Sequence, residues 1–197
     1  SIDYLLSIEE CNFCEYELEN SKIVCEIGAG FGRSCHVILS LFNIEEYIII
    51  DLPEMILVSK KYLSKVLNSE QFKKIRFINA NDFKKVKHVD IVINIASMQE
   101  MPSKTVIKYL NWISTTSKYF LTKNAMGKYN PNDIDLEPKS KNEYKSVLEM
   151  GILKNTYPLY EGITREKAVE EYHKFYCPQN FKLIKEQRGF GQFYLFN

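Results

Sequence analysis

Short apolar runs alternate with longer helical stretches along the middle of the chain, and this alternation limits the fold more than any other feature. The apolar runs are residues 23–27, 47–51, 75–79, 89–95 and 119–123. Several contain Ile and Val without polar alternation, which is typical of strands covered on both faces. The helical stretches between them are residues 32–42, 53–67 and 103–117. The pattern predicts an α/β fold with a doubly wound, mostly parallel sheet.

The end of the chain departs from this pattern. Residues 181–187 and 192–196 are strand-like, and only a short link at 188–191 joins them. Such a link cannot hold a crossover helix, so the two strands must form an antiparallel hairpin. We therefore predict a seven-stranded sheet that ends in an antiparallel hairpin, whereas a dinucleotide-binding domain normally ends on parallel strands.

The length of 197 residues predicts one domain, residues 1–197. We expect a helical lead-in at residues 1–20 and an insertion or lid at 126–150. The chain starts at Ser1 without an initiator Met, so we expect a fragment of a longer protein that lacks upstream acceptor-binding elements. The polar segment 126–145 fits a loop over the ligand-binding edge of the sheet and fits a plain surface loop equally well.

Composition excludes several classes of function. The 26 basic and 25 acidic side chains leave a net charge of +1, so no electropositive surface for nucleic acid is expected. No apolar run approaches the roughly 18 residues of a membrane span. The five cysteines form no disulfide framework, and Cys11 with Cys14 supplies too few ligands for zinc. We predict no metal site and a reducing, cytoplasmic compartment.

A glycine-rich loop lies where the first strand becomes a helix. It has the form G-x-G-x-G at residues 28–32 and is preceded by Glu26. Glycines there allow positive φ and let backbone N–H groups approach a ligand. The dinucleotide fingerprint G-x-G-x-x-G requires a third glycine where this chain has Arg33. The spacing therefore favours S-adenosylmethionine (SAM) over NAD.

Polar residues follow the next three strands. Asp51 ends the second strand, where a carboxylate binds both ribose hydroxyls, and it is also suited to cap the helix that follows. Leu52 would then lie against the adenine. Asn81-Asp82-Phe83 follows the third strand, with a polar group for the adenine amine and Phe83 nearby, although turn formation explains Asn-Asp almost as well. Gln99-Glu100 follows the fourth strand, so polar groups converge on one edge of the sheet.

The strings VCEIGAGFGR, YIIIDLPE, NANDF and DIVINIASMQEMP resemble the successive motifs of class I SAM-dependent methyltransferases. These motifs cover roughly residues 22–125. EIGAGFGR together with IIDLPE and SMQEM is most similar to the sugar O-methyltransferase family of polysaccharide-biosynthesis contexts. The resemblance implies SAM as cofactor and a hydroxyl of a sugar, glycan or sugar-containing small molecule as acceptor. A homodimer is left open.

The resemblance also implies roles for residues by position. Glu26 would lie near the methionine amino group of SAM, the glycine loop beneath methionine and ribose, Asp51 at the ribose and Asp82 at the adenine. The expected cofactor-binding residues are Glu26, Gly28, Ala29, Gly30, Gly32, Asp51, Leu52, Asn81, Asp82, Phe83 and Ala96.

In many small-molecule methyltransferases the fourth strand runs D-x-V-x-x-x-x-V-L-x-H-x-P. When residues 90–102 are aligned with that pattern, Glu100 takes the place of the His that faces the acceptor. A carboxylate is a weaker base at neutral pH unless burial raises its pKa. We hypothesise that Glu100 is the catalytic base, with Gln99 beside it. It would otherwise orient a hydroxyl, bind a metal or simply precede the next helix on the surface.

Other functions stay open at this stage. They are methylation of another small molecule at O or N, a NAD-binding oxidoreductase or epimerase domain, and SAM binding without catalysis. Arg33 and the terminal hairpin oppose the NAD alternative, and no [DN]-P-P-[FY] motif of base-methylating enzymes follows the fourth strand. The histidines His36, His88 and His173 are weaker candidates for the base; of these only His173 could reach the acceptor side, and a surface or structural role explains it better.

Overall fold

The computed structural model describes residues 2–129, 144, 146–157, 162–187 and 193–197. Most of the predicted insertion therefore lies outside the described residues. The strands are β1 (Ile23–Ile27), β2 (Glu46–Asp51), β3 (Ile75–Asn79), β4 (Val89–Ile95), β5 (Ser117–Lys123), β6 (Lys128–Tyr129), β7 (Thr156–Tyr157), β8 (Leu183–Gln187) and β9 (Phe193–Phe196). The helices are α1 (Ile2–Phe13), α2 (Glu15–Glu19), α3 (Arg33–Leu41), α4 (Pro53–Val66), α5 (Ser69–Lys73), α6 (Ser103–Thr116) and α7 (Gly162–Tyr176).

Within the described ranges, seven strands form one sheet in the order β3-β2-β1-β4-β5-β9-β8. The strands β1 to β5 pair in parallel. By contrast, β9 is antiparallel to both β5 and β8. The predicted doubly wound, mostly parallel sheet with a terminal antiparallel hairpin is thus confirmed. Because the five parallel strands run the same way, their carboxyl ends meet at one edge.

Both faces of the sheet are covered, as the apolar strands predict. Successive residues of a strand point to opposite faces, so Val24 packs with the core of α1 to α4, whereas Cys25 and Ile27 pack with the core of α6 and α7. The Trp112 indole of α6 donates a hydrogen bond to the Val86 carbonyl at 3.1 Å, which ties this helix to the chain before β4.

Local sequence signals account for where several helices begin. Gly32, in a left-handed conformation with φ 96°, is the N-cap of α3, so that helix starts one residue later than predicted. Pro53 opens α4 at a position where its missing N–H costs nothing. Asn68 and Gln71 form a capping box at α5. That five-residue helix was not predicted, because so short a segment has no visible periodicity.

The pairing of β6 with β7 was also not predicted. Each strand has two residues, Lys128–Tyr129 and Thr156–Tyr157, and the two pair in parallel. Gly151, between them along the chain, donates its N–H to the Met101 carbonyl at 2.7 Å. Ser103 donates its hydroxyl to the Gly151 carbonyl at 2.7 Å. The segment before β7 is therefore attached to the loop that follows β4. Across the described ranges, none of the helices combines the length and apolarity that crossing a membrane requires.

Candidate active site

The glycine loop leaves β1 at the carboxyl edge of the sheet with all three glycines at positive φ, 72° at Gly28, 57° at Gly30 and 96° at Gly32. A Cβ at Gly28 would lie 2.2 Å from the Ser97 hydroxyl oxygen, so no larger residue fits between this loop and the one after β4. A Cβ at Gly30 would meet no atom within 4 Å. The outer face of the loop at Gly30 is therefore open to an approaching ligand.

Asp51 ends β2 beside this loop, and its carboxylate is held by two backbone groups. The Gly30 N–H donates to one oxygen, Oδ2, at 3.0 Å, and the Leu52 N–H donates to the other, Oδ1, at 2.8 Å. Burial raises the pKa of Asp51, and these two hydrogen bonds oppose the rise. Each oxygen keeps a further lone pair, so the fixed carboxylate can accept two hydroxyl groups of a ligand.

The residues expected around an adenine divide into exposed and buried ones. Leu52 is 58% exposed, an apolar side chain on the surface next to Asp51. Asn81 is exposed, and Asp82 forms an ion pair with Lys85 at 2.9 Å. Phe83 is only 8% exposed and packs against Tyr109, with ring centroids 4.6 Å apart. Its ring supports the loop after β3 from within the core.

Glu26, two residues before the glycine loop, lies inside the protein. It is 3% exposed, and the Tyr47 hydroxyl donates to its Oε2 at 2.8 Å. Burial raises the pKa of Glu26 to about 7, although hydrogen bonds from Tyr47 and Ser34 lower it. The structure thus places the Glu26 carboxyl group in contact with Tyr47 of β2 and Ser34 of α3. It does not present the side chain at the open edge.

A network of buried polar side chains holds the loop after β4, and the sequence analysis missed it. Asn94 donates to the Ile27 carbonyl at 2.9 Å and to the Ser97 hydroxyl at 2.6 Å. Asn124, after β5, donates to the Asn94 side-chain oxygen at 2.7 Å. The network links the ends of β1, β4 and β5. An Asn inside an apolar run was the one sequence signal that could have indicated it.

The same network reaches α7. The Tyr172 hydroxyl lies 2.8 Å from the Thr122 hydroxyl and accepts from the Asn124 N–H at 3.1 Å. Tyr172 and Asn124 are both buried. The helix that precedes the terminal hairpin therefore positions the polar groups at the end of β5.

Gln99 and Glu100 lie in a short 3₁₀ helix, Met98–Glu100, that follows β4. The Gln99 side-chain oxygen accepts from the Ala125 N–H at 2.6 Å, so this amide connects the loops after β4 and β5. Glu100 is exposed, so the burial on which its role as a base depends is not provided by the described residues. Ala96, just before them, is exposed and has a positive φ of 54°.

The three histidines lie apart from this edge or in other contacts. His36 lies 2.9 Å from the Tyr4 hydroxyl through Nδ1, and burial lowers its pKa. His88 is 3.8 Å from Asp90, near the amino end of β4. His173 pairs with Glu186 at 3.3 Å, between α7 and β8.

Cysteines and metal ligands add no second centre within the described ranges. Cys11 and Cys14 are free and buried, and burial raises the pKa of the Cys11 thiol to about 12, which keeps it protonated and unreactive. In the part of the chain that the structure describes, no three His, Cys, Asp or Glu side chains are grouped as a metal site.

The strand order and the terminal antiparallel strand define the Rossmann-like fold of class I methyltransferases, and solved structures share it. Human N-acetylserotonin methyltransferase, solved in complex with SAM, is 15% identical, with a TM-score of 0.63 over 97% of this chain and 51% of that chain. The mitomycin 7-O-methyltransferase MmcR is 13% identical, with a TM-score of 0.63 over 98% of this chain and 54% of its own. This chain thus spans about half the length of those two enzymes.

A third solved structure matches along nearly its whole length. The methyltransferase domain of bacterial CtHen1 is 12% identical, with a TM-score of 0.64 over 99% of this chain and 97% of that domain. Comparison of the sequence with protein-family models and with curated proteins finds no match. At these identities the likeness is one of fold.

Proposed function

We propose that the chain is a SAM-dependent methyltransferase domain that transfers a methyl group to a hydroxyl of a sugar or sugar-containing small molecule. One observation carries the SAM part of this proposal. The Asp51 carboxylate is oriented by the N–H groups of Gly30 and Leu52, at a G-x-G-x-G loop whose outer face is open. This is a site for a ribose diol beside a loop that a ligand can approach closely.

The other residues at this edge are compatible with the remainder of SAM. Leu52 offers an exposed apolar surface next to the ribose position, suited to one face of an adenine. Asn81 and Asp82 offer polar groups at the end of β3, the strand beside β2. The solved neighbours include N-acetylserotonin methyltransferase bound to SAM and PigF bound to the demethylated product. These complexes support SAM as the ligand of the shared fold.

When bound, SAM supplies a methyl group on a positively charged sulfur that an alcohol can attack. The chain's own contribution is then mainly alignment, which can supply on the order of 7–11 kcal/mol of the barrier. The Asn94, Ser97 and Asn124 network keeps the loop after β4 at a fixed distance from the glycine loop. Removal of the hydroxyl proton contributes typically about 10²–10⁴ in rate, and Glu100 is the side chain that we assign to it.

The acceptor part of the proposal has separate support. The resemblance of EIGAGFGR, IIDLPE and SMQEM to sugar O-methyltransferases indicates a sugar hydroxyl. The net charge of +1 does not favour an RNA or DNA acceptor. A methyltransferase acting on another small molecule is the second candidate, supported by neighbours whose names specify N-acetylserotonin and mitomycin.

Titration calorimetry with S-adenosylhomocysteine, SAM and NAD tests the ligand. We expect saturable binding of the two sulfur ligands and none of NAD. If NAD binds and the sulfur ligands do not, the methyltransferase proposal is wrong.

A methyl-transfer assay with labelled SAM across nucleotide sugars, glycan extracts and RNA tests the acceptor, read by mass spectrometry. We expect a mass gain of one methyl group on a sugar-containing product. Glu100→Gln should lower turnover by about a hundredfold or more if Glu100 removes the proton, whereas the exposed Glu54→Gln on α4 serves as the matched control. Near wild-type turnover of Glu100→Gln would remove the base assignment and leave the SAM assignment intact.

A further inference from the structure

Two lysine side chains meet at one backbone carbonyl group in the part of the chain that follows β5, and the function proposed above does not use them. Lys128 of β6 donates to the Met150 carbonyl at 2.6 Å and also to the Leu148 carbonyl. Lys154, just before β7, donates to the same Met150 carbonyl at 3.4 Å and also to the Glu149 carbonyl. The two ammonium groups share one acceptor oxygen and therefore lie close together.

Strand pairing is what brings these two lysines together. Lys128 lies opposite Thr156 in the parallel pair of β6 and β7, and Lys154 precedes Thr156 by two residues. Lys128 is half-buried, whereas Lys154 is exposed. Because both ammonium groups are hydrogen-bonded to backbone, the fold holds them in place, unlike lysines that extend into solvent. We call Lys128 and Lys154 the lysine pair.

The backbone around Met150 attaches the lysine pair to the loop that follows β4. Met150 forms an isolated antiparallel bridge with Pro102. A Cβ added to Gly151 would lie 3.1 Å from the Gln99 carbonyl oxygen, so the chain after Met150 packs closely against the same loop. Gln99 and Pro102 stand on either side of Glu100 in the sequence. The lysine pair therefore lies next to the segment that carries the proposed base.

The carbonyl groups that hold the lysine pair satisfy hydrogen bonds without neutralising charge. Among the described residues, neither ammonium group forms an ion pair with a carboxylate. Each has three N–H donors and uses two of them on carbonyl oxygens, so within the described ranges one donor of each is left for another partner. Burial and the charge of Lys154 both lower the pKa of Lys128. An anion placed between the two ammonium groups would offset their mutual repulsion.

On the basis of the proposed function, we propose that Lys128 and Lys154 bind a phosphate group of the acceptor, which is then a sugar phosphate or a nucleotide sugar. A phosphate group carries up to two negative charges and several strong acceptor oxygens, so it suits two cations better than one carboxylate does. Lysine is a common phosphate ligand that acts as a point charge. The lysine pair anchors the acceptor beside the segment of Glu100 and takes no part in methyl transfer.

The test compares probes with and without phosphate on the full chain. Inorganic pyrophosphate, glucose-1-phosphate, UDP-glucose and glucose are titrated by calorimetry, with and without saturating S-adenosylhomocysteine. We expect the three phosphate-bearing probes to bind at least about tenfold more tightly than glucose, because each gains charge-assisted hydrogen bonds. Tighter binding of UDP-glucose would identify a nucleotide sugar as the source of the phosphate, and tighter binding of glucose-1-phosphate a sugar phosphate.

Variants of the lysine pair locate the phosphate. Lys128→Met and Lys154→Met should each weaken pyrophosphate binding by about tenfold or more, with S-adenosylhomocysteine affinity unchanged. Lys154→Arg keeps the charge and should retain most of the pyrophosphate binding. The matched control is Lys61→Met, which removes the same charge from an exposed position on α4 and should leave pyrophosphate affinity at the wild-type value. Thermal unfolding records any loss of folding in each variant.

Several results would overturn the proposal. Wild-type pyrophosphate affinity in both methionine variants would show that the phosphate binds elsewhere, and equal affinity for glucose and the phosphate-bearing probes would show that no phosphate site exists. If Lys154→Arg loses as much binding as Lys154→Met, the side chain serves the backbone contacts and its charge is not what matters. Failure of the wild-type chain to bind S-adenosylhomocysteine would instead refute the methyltransferase proposal, while the pyrophosphate titration still reports on the lysine pair.

Discussion

The two halves of the carboxyl edge are built in different ways. At the ends of β1 and β2, backbone N–H groups and one carboxylate form the site, at Gly30, Asp51 and Leu52. At the ends of β4 and β5, side-chain amides and a hydroxyl hydrogen-bond to one another, at Asn94, Ser97 and Asn124. The first arrangement leaves the space beside Gly30 open, whereas the polar side chains of the second hydrogen-bond to one another.

The largest expected effect is on folding stability at Gly28, where the glycine loop contacts Ser97 of the loop after β4. Gly28→Ala places a Cβ 2.2 Å from the Ser97 oxygen at a φ of 72°. A positive φ costs about 1–2 kcal/mol for a non-glycine residue and overpacking about 1–3 kcal/mol, so we expect a loss of about 3 kcal/mol in the free energy of unfolding, measured in urea. Gly30→Ala, whose Cβ meets open space, should lose only about 1 kcal/mol. Similar losses of unfolding free energy in both variants would show that the glycine loop is not closely packed against Ser97 at Gly28.

The buried Glu26 carboxyl group predicts that the stability of the fold depends on pH. In the folded chain Glu26 keeps its proton up to about pH 7, well above its ordinary pKa of 4.5. The folded state therefore binds more protons than the unfolded state between these values, and its stability falls as the pH rises through this window. At about 1.4 kcal/mol for each pKa unit, the full fall is roughly 3 kcal/mol.

Glu26→Gln removes the titrating group and therefore tests this fall in unfolding free energy. The neutral amide can still accept the Tyr47 hydroxyl, and it does not titrate. Relative to wild type, the variant should gain roughly 2–3 kcal/mol of unfolding free energy between pH 4.5 and pH 8, measured by urea unfolding across that range. An unchanged difference at all pH values would contradict the assignment of a neutral Glu26.

We expect ligand affinity to depend on the first half of the edge and not on the opposite end of the sheet. Asp51→Asn should weaken S-adenosylhomocysteine binding by about tenfold to a hundredfold, because one hydroxyl-accepting oxygen and the charge are lost. The control is Asp90→Asn, whose Oδ2 accepts the N–H groups of Lys22 and Ile23 at the opposite end of the sheet. Calorimetry should find its affinity unchanged. Equal weakening in both would mean that charge alone, and not the site at Asp51, governs binding.

The smallest expected effect is a loss of folding stability in the second half, at the ends of β4 and β5. Tyr172→Phe removes the hydroxyl that contacts Thr122 and Asn124, and it should cost about 1–2 kcal/mol of unfolding free energy. Binding of S-adenosylhomocysteine should stay at the wild-type value, because the glycine loop and Asp51 are untouched. A double variant with Thr122→Val should lose less than the sum of the single losses. A marked loss of affinity in Tyr172→Phe would show that the two halves act as one unit.

Local sequence pattern was enough to predict the parallel strands, the terminal hairpin and the order of the main helices. Apolar runs, Pro53 and the glycine spacing are properties of neighbouring residues, so their physical consequences can be worked out without distant contacts. The position of Asp51 beside the glycine loop could also be predicted from local pattern, because parallel strands bring their carboxyl ends to one edge.

Tertiary structure alone decided which of the predicted site residues are buried. Glu26 and Phe83 were predicted to bind cofactor, and their burial beside Tyr47 and Tyr109 appears only once β2 and α6 are in place. The ion pair of Glu10 with Lys123 joins α1 to β5, across a separation in sequence that no local pattern spans. Spacing along the chain specifies which strands and turns can form, because those depend on adjacent residues. Burial and charge pairing depend on residues brought together from distant segments, and they therefore follow from the folded sheet.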